Sequence, residues 1–396
     1  MKVDKTKWKY TRLDNLVHIL NGFAFKSDCY CQKGIRVIRI TNVQDGYIED
    51  TDPKFYPVSY SNELSKYILH ENDLLISLTG NVGRVAFLPQ EMLPAALNQR
   101  VACIRSQNST TISLEFLYFF MMNKTFKDDC IKSSKGVAQL NMSTEWLKSY
   151  IIPIPPHIEQ QAIAAVLNTI QTMIDGYKAQ IADLDALAQS IFLDMFGNVS
   201  MNDKSWNIIP MGKLGDFKNG LNYNKGEQGK SIKIIGVGDF QNIKSLSSFN
   251  DISSIEVEHI SEEYLLHNED IVFVRSNGNK NLVGRCLEVY PNDAEVTFSG
   301  FCIRFRKSVE ISNKYLIALL TDSGFKKTHL LKSNGIGIQN INQKLLSSLP
   351  IPVPSADLQQ LFALKVETIE QQKEQLRLQL QDAETLMAER MQYYFS

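Results

Sequence analysis

No stretch of this 396-residue chain approaches the ~18 uncharged apolar residues that a membrane-spanning helix needs. The charged start, Met1-Lys-Val-Asp-Lys-Thr-Lys-Trp8, has no apolar run behind it, so no secretory leader is expected. Cysteine is sparse: six residues, of which only Cys29-Tyr-Cys31 form a close pair. That pair lacks the second pair of Cys or His that a zinc site requires, so no metal is expected. Cys103 and Cys302 lie in alternating apolar runs and are expected as buried strand residues. Scattered thiols without a leader point to the cytoplasm. The chain also lacks net charge, at −1, which by itself excludes neither nucleic acid nor protein as a partner.

What is present is a globular composition, 44% hydrophobic and 21% charged, in a chain too long for one ordinary domain. Charge is distributed in blocks. Residues 1–156 carry 19 basic and 15 acidic residues, and 157–197 carry 1 and 5. Residues 198–355 carry 18 and 16, and 356–396 carry 4 and 7. Two mildly basic blocks therefore alternate with two acidic ones.

The same alternation appears as an internal repeat of about 199 residues. Trp8, Leu13, Leu16 and Gly22 return as Trp206, Met211, Leu214 and Gly220. Ile35-Arg-Val-Ile38 returns as Ile232-Lys-Ile-Ile235, and Leu69-His70 through Asp73 returns as Leu266-His267 through Asp270. Gly83-Arg84 matches Gly284-Arg285 after a four-residue insertion, and Cys103-Ile-Arg105 is aligned with Cys302-Ile-Arg304. Gly136 and Asn141 match Gly335 and Asn340.

Each copy begins with ~155 residues of short β-branched or apolar runs bounded by Gly, Asn and Asp, with helices expected at Leu114–Met122 and Asn313–Leu320. A proline break follows, Ile152-Pro-Ile-Pro-Pro156 in one copy and Leu349-Pro-Ile-Pro-Val-Pro354 in the other. Beyond it the apolar spacing becomes helical, as in Ile163, Val166, Leu167, Ile170 and Ile174. Each such helix runs ~40 residues, or ~60 Å at ~1.5 Å per residue. An apolar face that long needs a long partner, and the other copy's helix is the expected one, paired antiparallel. The fold class is thus α+β: two tandem mixed α/β domains separated by two long helices that pair as an antiparallel coiled coil. The boundaries fall at 1–155, 156–198, 199–354 and 355–396.

Over its whole length this arrangement resembles the specificity (S) subunit of type I restriction–modification systems. The resemblance rests on Ile152-Pro-Ile-Pro-Pro156 running into Glu159-Gln-Gln161, and on Leu349-Pro-Ile-Pro-Val-Pro354 running into Leu358-Gln-Gln360. Gly22-Phe-Ala-Phe-Lys-Ser27, Gly136-Val-Ala-Gln-Leu-Asn141 and Gly335-Ile-Gly-Ile-Gln-Asn340 also look like features of that family, whereas Gly220-Leu-Asn-Tyr-Asn-Lys225 departs from the first copy. The resemblance implies two target recognition domains, each reading half of a bipartite DNA site. It implies spacer helices that dock two methyltransferase (M) subunits, with two restriction (R) subunits in a complete system. It further implies that the chain binds no cofactor itself, while its partners use S-adenosylmethionine, ATP and Mg²⁺. Acidic residues on the helices (Asp175, Asp183, Asp185, Glu367, Glu370, Glu374) are candidates to meet basic partner surfaces.

Forked donors and acceptors read base edges, and small or basic residues hold phosphates. Three places per copy offer them. One is Thr79, Asn81 and Arg84, with counterparts Arg275, Asn277, Asn279, Lys280 and Arg285 in a longer loop. Another is Lys135, Gln139 and Asn141, with Lys332, Asn334, Gln339 and Asn340. The third is Lys26 and Ser27, with Lys225.

Signs of catalysis are missing. The only Pro-Pro, Pro155-Pro156, lacks the Asn/Asp before it and the aromatic after it that an amino-methyltransferase motif needs. Gly-x-Gly-x-x-Gly, Gly-x4-Gly-Lys-Ser/Thr and Glu-x-Lys patterns are absent. No histidine is grouped with Ser or Cys, and the repeated His70 and His267 sit at strand starts as structural residues. A non-catalytic DNA reader is therefore expected. The alternatives are a two-headed coiled-coil scaffold without DNA binding and, less well matched, a stand-alone DNA-modifying enzyme.

Overall fold

A computed structural model describes residues 3–134, 140–223, 228–240, 243–279, 282–330 and 340–395. The chain divides into two units, residues 1–178 with 378–396, and residues 179–377.

In the first unit, β1 (Lys9–Arg12), β2 (Val17–Asn21), β3 (Ile35–Ile38), β4 (Phe55–Tyr56), β5 (Leu74–Ser77), β6 (Val85–Phe87), β7 (Ala95–Leu97) and β8 (Val101–Ser106) lead into helices α1 (Leu114–Met122), α2 (Lys124–Ser133) and α3 (Thr144–Ser149). Strand β9 (Ile151–Ile154) then feeds α4 (His157–Phe196). An antiparallel sheet runs β2-β8-β5-β6, and a smaller one runs β4-β3-β7 with β3 and β7 parallel. Strand β5 is buried on both faces. Leu74 and Ile76 face the helices, and Leu75 faces a second core with Ile38, Leu97 and Cys103.

The second unit repeats this plan. Its strands are β10 (Asn207–Pro210), β11 (Gly215–Asn219), β12 (Lys230–Ile235), β13 (Ser245–Leu246), β14 (Ser254–Val257), β15 (Asp270–Val274), β16 (Cys286–Val289), β17 (Val296–Phe298), β18 (Cys302–Lys307) and β19 (Pro350–Val353). Helices α5 (Asn313–Thr321), α6 (Ser323–Phe325), α7 (Gln343–Ser347) and α8 (Ala356–Phe395) complete it. The sheets are β11-β18-β15-β16-β13 and β14-β12-β17.

The proline segments are more than breaks. Ile151–Ile154 and Pro350–Val353 are strands that pair antiparallel with β1 and β10. Each pair is a two-stranded sheet, so Pro153 and Pro352 leave no further ladder bond unmade.

Immediately after each strand the Gln of the repeated motif is buried and hydrogen-bonded through both its amide nitrogen and its oxygen. Gln160 Nε2 donates to Pro155 O (2.9 Å) and Thr111 O (3.0 Å), and its Oε1 accepts from Ser113 N (2.9 Å). Gln359 donates to Pro354 O (2.9 Å) and accepts from Ser312 N (2.9 Å). Ser113 and Ser312 are the N-caps of α1 and α5, so one glutamine ties the start of the long helix to the start of the domain helix. A second knot also repeats. Arg105 forks onto Asp73 (2.7 and 2.6 Å), whose carboxylate also accepts from His70 N. Arg306 forks onto Asp270 (2.8 and 2.7 Å), which accepts from His267 N.

These pairings correct one alignment. Leu74 lies opposite Ile104 and Ile271 lies opposite Phe305, so Arg105 corresponds to Arg306 and Cys103 to Arg304. The shared tripeptide Cys-Ile-Arg is offset by two positions. Such a slip keeps every side chain on its own face of the strand, so the apolar pattern does not reveal it.

The long helices pack into both units. In the first, Ile170 and Ile174 of α4 meet Ala383 and Met387 of α8, and Tyr394 is fully buried. In the second, Phe192 and Phe196 of α4 pack edge-on against Phe362 of α8. Among the described residues no helix is long and apolar enough to cross a membrane.

Candidate nucleic-acid interface

Four segments come together at one rim of the first unit, just past the end of β5. Leu78 N donates to Arg100 O (3.0 Å), and Met142 N donates to Leu78 O (2.8 Å). Thr79 bridges to Asn141, with its hydroxyl 3.2 Å from Asn141 Oδ1, and Gly80 N reaches Leu140 O. On the other side Phe23 N donates to Leu97 O and Gln99 N to Phe23 O. Segments 22–25, 98–100, 78–81 and 140–142 therefore lie side by side, each fixed by backbone bonds to the next.

Their exposed side chains are Asn81, Gln99, Arg100 and Asn141, with Lys26 and Ser27 following directly on the first segment. Phe23 and Phe25 are cores of this rim rather than stacking platforms. They pack on each other, on Tyr67 and on Tyr56. Arg84 sits at the far end of the loop, half-buried, and bonds Gln44.

The second unit builds the same rim. Arg275 N donates to Phe301 O (2.8 Å), Ile341 N to Arg275 O (2.9 Å), and Ser276 bridges to Asn340. Leu221 bridges to Ser299, and Gly300 N donates to Leu221 O. A Cβ on Gly220 would meet the backbone oxygen of Ser299 at 2.1 Å, so glycine is what lets the two segments close. Asn277 Oδ1 accepts from Asn279 N (2.7 Å), an Asx turn that shapes the longer loop. Arg285 is turned away, its Nη1 3.3 Å from Phe240 O. Lys135, Gln139, Lys225, Lys280, Lys332, Asn334 and Gln339 lie outside the described residues.

Gln99, Arg100, Gly300 and Phe301 were missed by sequence reasoning. They sit in the turn before a strand whose apolar core dominates the local pattern. Only the bond from position 78 to 100, or from 275 to 301, brings them beside the loops that composition had flagged.

Two of the acidic helix residues also have an internal role. Asp185 (2.7 Å) and Glu370 (2.9 Å) both hold the ammonium of the buried Lys373 and so neutralise an internal charge, while the Asp185 side chain stays 52% exposed. Asp175, Asp183, Glu367 and Glu374 are exposed, and Glu374 pairs with Arg377 (3.2 Å).

No group of three or more potential metal ligands occurs among the described residues. The arrangement is a pair of polar, hydrogen-bonding rims on rigid strand ends, the chemistry of a recognition surface.

The profile of the type I restriction modification DNA specificity domain matches the chain twice, over residues 5–185 and 203–382. The chain belongs to that family. It is 25% identical over 396 residues to the Type I restriction enzyme StySPI specificity subunit of Salmonella potsdam, covering 92% of this chain and 84% of the relative. Its fold is similar to that of the type I restriction–modification S subunit of M. genitalium (TM-score 0.59, 16% identity, 100% of this chain and 98% of that one). It is also similar to a chain from a structure titled for complex assembly and conformational transition of the type I system (TM-score 0.56, 12% identity, 98% and 97%). The protein is thus a specificity subunit, the non-catalytic member of such a system, with catalysis carried by other chains.

Proposed function

We propose that each rim reads one half of a bipartite, asymmetric DNA site, through Lys26, Ser27, Thr79, Asn81 and Asn141 in the first unit and Arg275, Asn277, Asn279 and Asn340 in the second. The observation that carries this reading is the repetition itself. The same four backbone segments are built twice, while the exposed side chains on them differ. Two unlike readers on a repeated frame suit an asymmetric sequence, whereas identical readers suit a palindrome. The domains are assigned as 1–155 and 199–354, and the spacers as 156–198 and 355–396.

In this reading α4 and α8 form an antiparallel pair that sets the distance between half-sites. Within the second unit, Asp185–Lys373 (2.7 Å) and the Phe192–Phe362 ring contact support that direction: as α4 advances, its partner on α8 recedes. Two M subunits, using S-adenosylmethionine, dock on the helices, and R subunits, using ATP and Mg²⁺, join a complete system in the cytoplasm. Leu361 and Leu364 of α8, 49% and 57% exposed, support a protein partner there.

The test is genome-wide mapping of N6-methyladenine in cells carrying the methyltransferase subunit with and without this chain. A bipartite motif that needs the chain is the expected result, and exchange of residues 1–155 should change one half-site only. Methylation that is identical without the chain would overturn the reading. Inserting four residues into each helix, near 180 and near 376, lengthens each by ~6 Å. It should widen the spacer by one or two base pairs and leave the half-sites unchanged.

A further inference from the structure

The two rims differ most in the turn that sequence reasoning overlooked. The first unit carries Asn98-Gln99-Arg100 there, and the second carries Ser299-Gly300-Phe301. Arg100 is exposed and has no ion-pair partner among the described residues. Phe301 is 62% exposed, and it is the only phenylalanine among the widely exposed hydrophobic residues of the described chain.

Its ring is presented by an ordered turn, not by a loose loop. The Phe301 carbonyl accepts from Arg275 N (2.8 Å) and Ser276 N (3.4 Å), and its own N–H donates to Ser299 Oγ (3.3 Å). The two amides on its carbonyl belong to Arg275 and Ser276, the Arg275 guanidinium reaches Gly300 O (3.4 Å), and Asn340 bridges to Ser276, so polar residues adjoin the turn. An exposed apolar ring beside hydrogen-bonding groups matches the major-groove edge of an A·T pair. There the donors and acceptors of adenine lie beside the one apolar group on any base edge, the 5-methyl of thymine.

Resting on the reading that this rim meets DNA, we infer that Phe301 is a specificity-determining residue that contacts a thymine 5-methyl group in the half-site of the second unit. Arg100 occupies the equivalent place in the first unit with donors suited to guanine or phosphate.

The test uses the full chain assembled with its methyltransferase subunit and the duplex identified by methylation mapping. Each thymine of both half-sites is replaced in turn by uracil, which removes only the methyl group, and binding is followed by fluorescence anisotropy. One uracil, in one half-site, should weaken binding about fourfold, the ratio corresponding to ~0.8 kcal/mol for one buried methyl group. Phe301→Ala should bind the unmodified duplex about as weakly and be indifferent to that uracil, while Phe301→Leu keeps part of the discrimination. Exposure of the ring means that both variants should melt with the parent.

Indifference of the native assembly to every uracil, or an unchanged uracil penalty in Phe301→Ala, would overturn the inference. So would a penalty confined to the half-site changed by exchanging residues 1–155. A loss of DNA bending in Phe301→Ala without any uracil effect would replace methyl contact by a wedge. If the native assembly does not prefer the mapped duplex over a scrambled one, the DNA-reading function itself fails, and this inference with it.

Discussion

The first unit fills with aromatic rings the space that the second leaves as a groove. Phe87 and Tyr118 pack at 5.2 Å in the first unit, beside an ion pair of Lys127 and Asp45 (2.9 Å). Strand register and the helix caps place Glu288, Ile317 and Lys326 at the positions of Phe87, Tyr118 and Lys127. The result in the second unit is a groove of about 1000 Å³ lined by Phe192, Phe362, Ile317, Arg285, Lys326 and others. Glu288 is neutralised by Lys314, while Lys326 has no carboxylate partner among the described residues. Burial holds the Lys326 amine below the usual lysine range, with Arg285 adding to that effect and the Cys286 thiol opposing it. Knots that fix the backbone recur in both units, with Gln160 adding one bond to Thr111 O. Fillings and rims, which do not fix it, have diverged.

That division predicts how substitutions rank. The largest effects should be symmetric. Asp73→Ala and Asp270→Ala each strip a forked arginine and a strand-start amide of their acceptor and should cost about 3 kcal/mol. Gln160→Leu and Gln359→Leu leave a buried amide and carbonyls unpaired and should each cost about 2 kcal/mol. Chemical unfolding of the four variants checks both pairs. A tolerant member in either pair would break the equivalence of the frames.

Smaller effects should be asymmetric. Tyr118→Ile removes ring contacts with Phe87 and Phe119 and should cost about 1 kcal/mol. Ile317→Tyr points into the groove and should change the melting temperature little. Equal losses in the two would show that the groove is closed in solution.

The smallest effect concerns thiols. Cys130, Cys286 and Cys302 are buried and pushed up to about 12, and Cys103 is raised by the same desolvation. At pH 8 a maleimide should label Cys29 and Cys31 within minutes and leave the other four unlabelled until the chain unfolds. Rapid labelling of Cys286 alone would show that the groove side opens.

Much of this architecture is local, and so was readable from residue order. Helical spacing marked α4 and α8, seen here as His157–Phe196 and Ala356–Phe395, because an α-helix repeats within four residues. The helices expected at Leu114–Met122 and Asn313–Leu320, seen here as Leu114–Met122 and Asn313–Thr321, were visible for the same reason. The duplication was readable because equal folds need equal landmarks. Pro153 and Pro352 misled only in role, since proline's missing donor forbids a central strand but not a two-stranded one.

The rims were only half readable. Composition flagged Thr79, Asn81, Asn141 and Asn340, because Gly, Asn and Ser around them mark turns. It could not flag Arg100 or Phe301, whose place beside those turns depends on a strand pairing more than twenty residues away in sequence. Nor could it show that Asp185 belongs to Lys373, a partner 188 residues distant. Periodicity reports which face a residue occupies. Which residue stands across from it is set by register and packing, and a shift of two residues changes the neighbour without changing the face.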